Sequence, residues 1–168
     1  MAEKDTIFSS TVKYNGIVNF SDFYKFCYEW LAEEEGFNIA EDEYVEKIKG
    51  DSKDISVEWT GTKKVTDYFK FEIKVSIEAN GLTKVDVTTS DGKKISTNKG
   101  GIKVKVKAIL VRDYDGKFET TPFKKFIRAI YEKWIIASRI DEMEGNLVGK
   151  ADGFLSQAKA YLDLEGKK

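Results

Sequence analysis

Tyr68-Phe69-Lys70-Phe71-Glu72-Ile73-Lys74-Val75-Ser76-Ile77-Glu78 alternates without a break. Phe69, Phe71, Ile73, Val75 and Ile77 face one way; Lys70, Glu72, Lys74, Ser76 and Glu78 face the other. A period of two belongs to a strand, and in an antiparallel sheet it leaves one face apolar and the other wet. The same rhythm recurs on both sides. Upstream, Ile55, Val57 and Trp59 alternate with Ser56, Glu58 and Thr60. Downstream, Ile102, Val104, Val106, Ala108 and Leu110 alternate with Lys103, Lys105 and Lys107.

Turn signals cut the region into strands. Asn80-Gly81 predicts a tight hairpin into a partner strand carrying Val85 and Val87, and Asp91-Gly92 turns that strand. Lys99-Gly100-Gly101 precedes the strand that starts at Ile102, and Asp115-Gly116 closes the sheet region. Tyr44–Lys49 reads as a weak strand. Ile7–Tyr14 is a first strand, β-prone but polar, ended by Asn15-Gly16. The count is about five to six strands in a twisted antiparallel sheet.

Two helices are expected. The first is capped by Ser21, carries Phe23, Cys27, Trp30 and Leu31 on one face, and ends at Glu33-Glu34-Glu35-Gly36. The second covers the apolar face of the sheet. Thr121 caps it, and Pro122 takes the first position, where its missing N–H costs nothing. Phe123, Ile127, Ile130, Trp134, Ala137, Ile140, Leu147, Ala151, Phe154, Ala158 and Tyr161 then recur at helical spacing. A helix over 122–164 spans roughly 65 Å. A strand of eleven residues spans roughly 37 Å. The helix is therefore expected to overhang the sheet or to bend. Gly145, Gly149 and Gly153 mark the place, since each weakens a helix by roughly 1 kcal/mol. The fold class is α+β, one domain over 1–168, with 143–168 a helical extension after that bend.

Composition narrows function by exclusion. The 168 residues are 41% hydrophobic and include 11 Phe, 8 Tyr and 3 Trp, enough for a core. Histidine is absent, and with it the usual general base near neutral pH and the commonest metal ligand. A carboxylate pair could still act alone, as in glycoside hydrolysis, but that needs a set separation which sequence does not give. The one cysteine, Cys27, lies on an apolar helix face, where a thiol acts as a small hydrophobe. No internal disulfide can form, in keeping with a reducing compartment. No signal peptide or membrane-length apolar run is present, so a cytoplasmic setting is expected. No cofactor and no metal site are expected; the acidic run Glu41-Asp42-Glu43 with Glu46 lacks the spacing of a calcium loop. No catalytic residue is assigned and no enzyme activity is expected.

Charge is uneven although the net is −1. Residues 1–60 carry 6 Lys/Arg against 14 Asp/Glu, residues 61–112 carry 12 against 5, and residues 113–168 carry 10 of each. The basic face comprises Lys70, Lys74, Lys103, Lys105 and Lys107. It lacks the interleaved aromatics and arginines of a nucleic-acid surface, and lysine on a wet sheet face also protects against edge pairing. Trp59, Phe69, Phe71, Phe123, Phe126, Tyr131 and Trp134 can line a pocket between sheet and helix, or fill the core. Gly145, Gly149 and Gly153, with Phe154 and Tyr161, can form an interface with another helix, or mark a kink.

The order of strand, helix, about five antiparallel strands and a long final helix resembles the helix-grip superfamily of START and birch-pollen-allergen domains. The chain departs from it in having one N-terminal helix where that superfamily has a pair. The resemblance implies an apolar cavity between sheet and helix, which makes the chain a binding module for an apolar small molecule or lipid. The tail, from Ser138-Arg139-Ile140-Asp141-Glu142-Met143-Glu144 to Ala158-Lys159-Ala160-Tyr161-Leu162-Asp163-Leu164-Glu165-Gly166, is similar to small archaeal proteins and brings no activity with it. The residues favour over it an interaction or assembly protein, with a protein partner or further copies of itself, and leave the binding module as the alternative. An overhanging helix would have to bury Phe154 and Tyr161 on something, and acidic and basic patches on one molecule can pair head to tail.

Overall fold

The computed structural model describes residues 3–114, 121–135 and 137–166; side chains at 134, 135 and 166 lie outside the description. Five strands form one antiparallel sheet: β1 (Glu3–Val18), β2 (Asn38–Lys49), β3 (Ser52–Lys64), β4 (Phe69–Thr88) and β5 (Lys94–Arg112), in the order β1-β5-β4-β3-β2. Helix α1 (Phe20–Glu29), extended by a π-helical turn Trp30–Glu34, joins β1 to β2. After the sheet come α2 (Pro122–Ile130), extended by a π-helical turn Tyr131–Ile135, and α3 (Ala137–Gly166). The α+β class and the long helix across an antiparallel sheet are as the alternation predicts.

The apolar face of the sheet is the core. Val57, Trp59, Phe71, Ile73, Val75, Ile77, Val104, Val106, Ala108 and Leu110 are buried there. α3 packs along β1 and β5 and beside α1. It buries Met143, Leu147, Ala151, Phe154, Leu155, Ala158 and Leu162, and α1 adds Phe20, Phe23 and Cys27, with Leu31 just beyond it. Each large apolar side chain so buried contributes about 1.5–3 kcal/mol of transfer free energy. Lys150 pairs with Glu35 at 2.9 Å and ties the end of the first helix to α3. Glu33, Glu34 and Glu35 stand at a helix C-terminus, where negative charge is unfavourable, and the lysine offsets one of them.

Several boundaries differ from expectation, each for a physical reason. Asn80-Gly81 makes a bulge within β4, where the pairing register with β5 shifts between Asn80 and Thr83. Gly81 takes φ +62 and its N–H donates to the Asp54 carboxylate at 2.9 Å. β5 runs past that point, so β4 gains more ladder bonds by continuing than by turning. A Cβ on Gly100 would meet Asn80 O and the Leu82 Cα at 3.0 Å, so the close approach at the bulge requires glycine there. Asn15-Gly16 likewise stays in β1, opposite Gly101 and Gly100. The real hairpin is at Asp91-Gly92: Thr89 N–H bonds Lys93 O at 2.8 Å and Gly92 has φ +86. The helix cap is Asn19, not Ser21, with its side chain accepting from Asp22 N–H. The expected Asp115-Gly116 turn lies outside the described residues.

The glycine-marked bend is also corrected. α3 runs unbroken through Gly145, Gly149 and Gly153, and the π-helical irregularity lies earlier, at Tyr131–Ile135. The strands are longer than the eleven residues assumed. β5 has 19 residues, about 63 Å at strand rise, against about 45 Å for the 30 residues of α3. Residues 143–162 therefore lie on their own sheet and do not form an overhanging extension.

Candidate ligand-binding site

The aromatic residues expected to line one pocket do not converge. Trp59, Phe69 and Phe71 are core residues on the sheet. Phe123 and Phe126 stand out from α2, 70% and 60% exposed. Tyr131 is half-buried and meets the edge of Tyr68 at 5.8 Å. The side chain of Trp134 lies outside the described residues. Nor is there room under α3. Val104, Val106, Ala108, Leu110, Leu147, Ala151, Phe154 and Ala158 expose no surface to a water-sized sphere, so no void that size opens beside them. Packing of this density is ordinary for a protein interior.

The concave space lies one step away, between α1 and the β2–β3 edge. It encloses about 600 Å³ and is lined by Phe20, Tyr24, Glu41, Tyr44, Glu46, Lys53, Ile55 and Leu82, among others. A bulge builds it. The β2–β3 register shifts between Glu41 and Glu43, leaving Glu41 opposite Trp59, Tyr44 opposite Val57 and Glu46 opposite Ile55. Strict alternation would split those three β2 residues between two faces; the extra residue, Asp42, brings all of them to the inner face.

The rings form a corner. Tyr24 meets Tyr44 nearly perpendicular, at 6.0 Å and 87°, and Trp59 at 5.1 Å and 66°. Tyr24 Oη donates to Glu41, and Trp59 Nε1 donates to the same carboxylate at 3.2 Å. Tyr44 Oη donates to Glu46 at 2.8 Å, and Lys53 stands 3.7 Å from that carboxylate. Burial, then the Glu41 carboxylate, pushes the Tyr24 phenol up to about 12. Burial, then Glu46, does the same for Tyr44, also to about 12. Both phenols stay protonated near neutral pH and keep donating, which suits positioning better than proton transfer. Tyr24 and Tyr44 offer aromatic faces, and Glu41 a carboxylate, to a cation, over an apolar floor of Phe20, Ile55 and Leu82.

Cys27 is fully buried, and burial pushes its thiol well above the ordinary range, so it packs and does not react. Among the described residues, no group of three or more His, Cys, Asp or Glu is placed to hold a metal ion, and no helix is long and apolar enough to cross a membrane. The interface candidates separate. Gly145, Gly149 and Gly153 have open space where a Cβ would stand. Phe154 is fully buried and Tyr161 stacks on Phe26 at 4.7 Å, so neither is offered to a partner. Of the basic face, Lys74, Lys103, Lys105 and Lys107 line one groove, whereas Lys70 lies 5.9 Å from the Tyr114 ring. Tyr24, Glu41, Tyr44 and Glu46 were not legible as a site. The acidic run was visible as a charge cluster, but its common face depends on the bulge.

The arrangement defines an α+β domain whose five-stranded antiparallel sheet carries its last helix on one face. With the helix-grip resemblance it shares a strand and a helix followed by antiparallel strands and a final helix across the sheet, but four strands follow the first helix and two helices end the chain's described part. No protein-family model matches the chain, and no curated protein matches it. Among solved structures, the di-domain ARO/CYC StfQ from the steffimycin biosynthetic pathway aligns over 95% of this chain and 52% of that one, with a TM-score of 0.27 and 9% identity. This chain thus spans about half of that protein, and a superposition so loose passes neither family nor activity between them.

Proposed function

We propose that this protein is a binding module and not an enzyme, and that it takes a small organic molecule with an apolar body and a basic group. The observation that carries the reading is the corner of Tyr24 and Tyr44 beside the Glu41 carboxylate, which buried Trp59 braces from the core side, at the mouth of a space of about 600 Å³. That volume falls in the range of small-molecule sites. An apolar ligand between sheet and α3 is not part of the proposal, because the side chains there leave no room.

Native mass spectrometry of protein purified from cells tests this. The expected result is a monomer carrying a few hundred daltons of extra mass, roughly the size such a space holds. Glu41→Gln and Tyr44→Ala should each lose most of it while leaving the fold intact. A bare wild-type monomer that also binds none of a panel of aromatic and aliphatic amines would sink the proposal. So would retention of the mass in both variants.

One observation favours a second reading, an interaction protein. The apolar face of α2 is exposed at Phe123, Phe126, Ile127 and Ile130. α3 gives that reading no support, because Phe154 is buried in the core and Tyr161 stacks on Phe26. The sedimentation behaviour of the wild type against Phe126→Ala separates the two readings.

A further inference from the structure

The opposite face of the sheet holds a second concave region, and its chemistry is the reverse of the first. Lys74 on β4 and Lys103, Lys105 and Lys107 on β5 line a groove of about 410 Å³. Both strands are central in the order β1-β5-β4-β3-β2. Lysine placed to discourage edge pairing belongs on an edge strand, so that explanation fails here. The register sets like charges against each other. Lys107 lies directly opposite Lys74, and Lys103 directly opposite Lys13 on β1. Such pairs are destabilising in a sheet.

The carboxylates nearby relieve this only at Lys103, which has Glu78 directly opposite on β4. Asp42, Glu58 and Glu78 border the groove. The Asp42 carboxylate is taken up by the Thr60 hydroxyl. Among the described residues, the ion pairs within 4.0 Å involve none of the four lysines. Lys74, Lys105 and Lys107 thus stand around one groove with no carboxylate opposite them, and Lys103 joins them with Glu78 on one side and Lys13 on the other.

We propose that this groove binds a compact anion carrying two or more phosphate groups. Lysines two apart on β5 are about 6.6 Å apart along the strand, and directly opposed residues have Cβ atoms about 5 Å apart. Neighbouring phosphates of one small molecule can therefore each meet two ammoniums. Lysine serves as a point charge toward phosphate and needs no fixed approach direction. Asp42 on β2, Glu58 on β3 and Glu78 on β4 limit the anion's extent: an extended nucleic acid or an anionic membrane surface would have to lie across them. No arginine lines the groove to read base edges, and its one aromatic, Trp59, is buried from the other face.

The test uses the whole chain and inorganic tripolyphosphate, titrated by calorimetry at fixed ionic strength. Orthophosphate, a single-stranded oligonucleotide and vesicles with anionic lipid are the comparison probes. Tripolyphosphate is expected to bind more tightly than orthophosphate by roughly a hundredfold, two further contacts at tenfold each. Lys74→Gln with Lys107→Gln should weaken it by a similar factor, and Lys94→Gln, on the far hairpin, should not. A second readout separates a site from ordinary surface lysines. Without anion, the double variant should melt at the same or a higher temperature than wild type, because an opposed like-charge pair has been removed. Equal affinity for orthophosphate and tripolyphosphate overturns the proposal, as does unchanged tripolyphosphate affinity in the double variant. Tighter binding of the oligonucleotide or the vesicles than of tripolyphosphate overturns it in favour of an extended polyanion.

Discussion

α2 and α3 are consecutive helices with the same kind of apolar spacing, and they end in opposite situations. α3 buries Leu147, Ala151, Phe154 and Ala158 completely. α2 buries none of its residues and leaves Phe123 and Phe126 in solvent. Its attachment to the domain is polar instead. Arg128 pairs with Glu3 at 2.9 Å and with Asp113 at 3.6 Å, while Glu132, in the following turn, pairs with Arg112 at 2.7 Å and accepts from Tyr68. Helical periodicity thus shows that a helix has an apolar face, and not what that face meets. The partner depends on reach: α3 lies along the sheet, whereas α2 is held at the end where β1 begins and β5 stops.

Three substitutions would break or sharpen this contrast. Phe154→Ala removes a fully buried ring from α3 and should cost about 3–5 kcal/mol, measured by urea unfolding. A loss near zero would mean that α3 is not docked. Gly149→Ala should raise stability by up to about 1 kcal/mol, because glycine is a poor helix former and its added Cβ meets nothing within 4 Å. The same variant losing self-association at high concentration would instead reveal a second helix against that face. Phe126→Ala should leave monomer stability within about 0.5 kcal/mol, as befits a side chain already in water. A larger loss, growing with protein concentration, would show that α2 is covered by another copy.

Much of the core was legible in the residues. The alternation through Phe69–Ile77 and Ile102–Leu110 identified two strands and their inward faces, though not that they pair, and the spacing from Leu147 to Ala158 identified the buried stripe of α3. The site was not, and the reason is local. A bulge costs one residue of register, and the side-chain period of two turns that single residue into a change of face. Glu41, Tyr44 and Glu46 share a face only through the extra residue at Asp42. Asn80-Gly81 misled in the same way, because a left-handed glycine serves a bulge within a long strand as well as it serves a hairpin. The lysine groove was half legible: Lys74, Lys103, Lys105 and Lys107 were plain as one basic face, but that Lys74 stands directly opposite Lys107, and that Lys70 lies apart, is seen only in the folded sheet.

The pairing of β1 has a consequence for synthesis. Val18 bonds across to Asn98 and Glu3 to Arg112, and β1 has no other strand beside it. On a ribosome adding about 5–20 residues per second, the first strand waits roughly 4–20 s for its partner to emerge. β2, β3 and β4 can meanwhile pair with one another as hairpins. β1 joins last, together with the face that α3 then closes. The largely polar make-up of residues 3–18 suits a segment that must remain soluble through that interval.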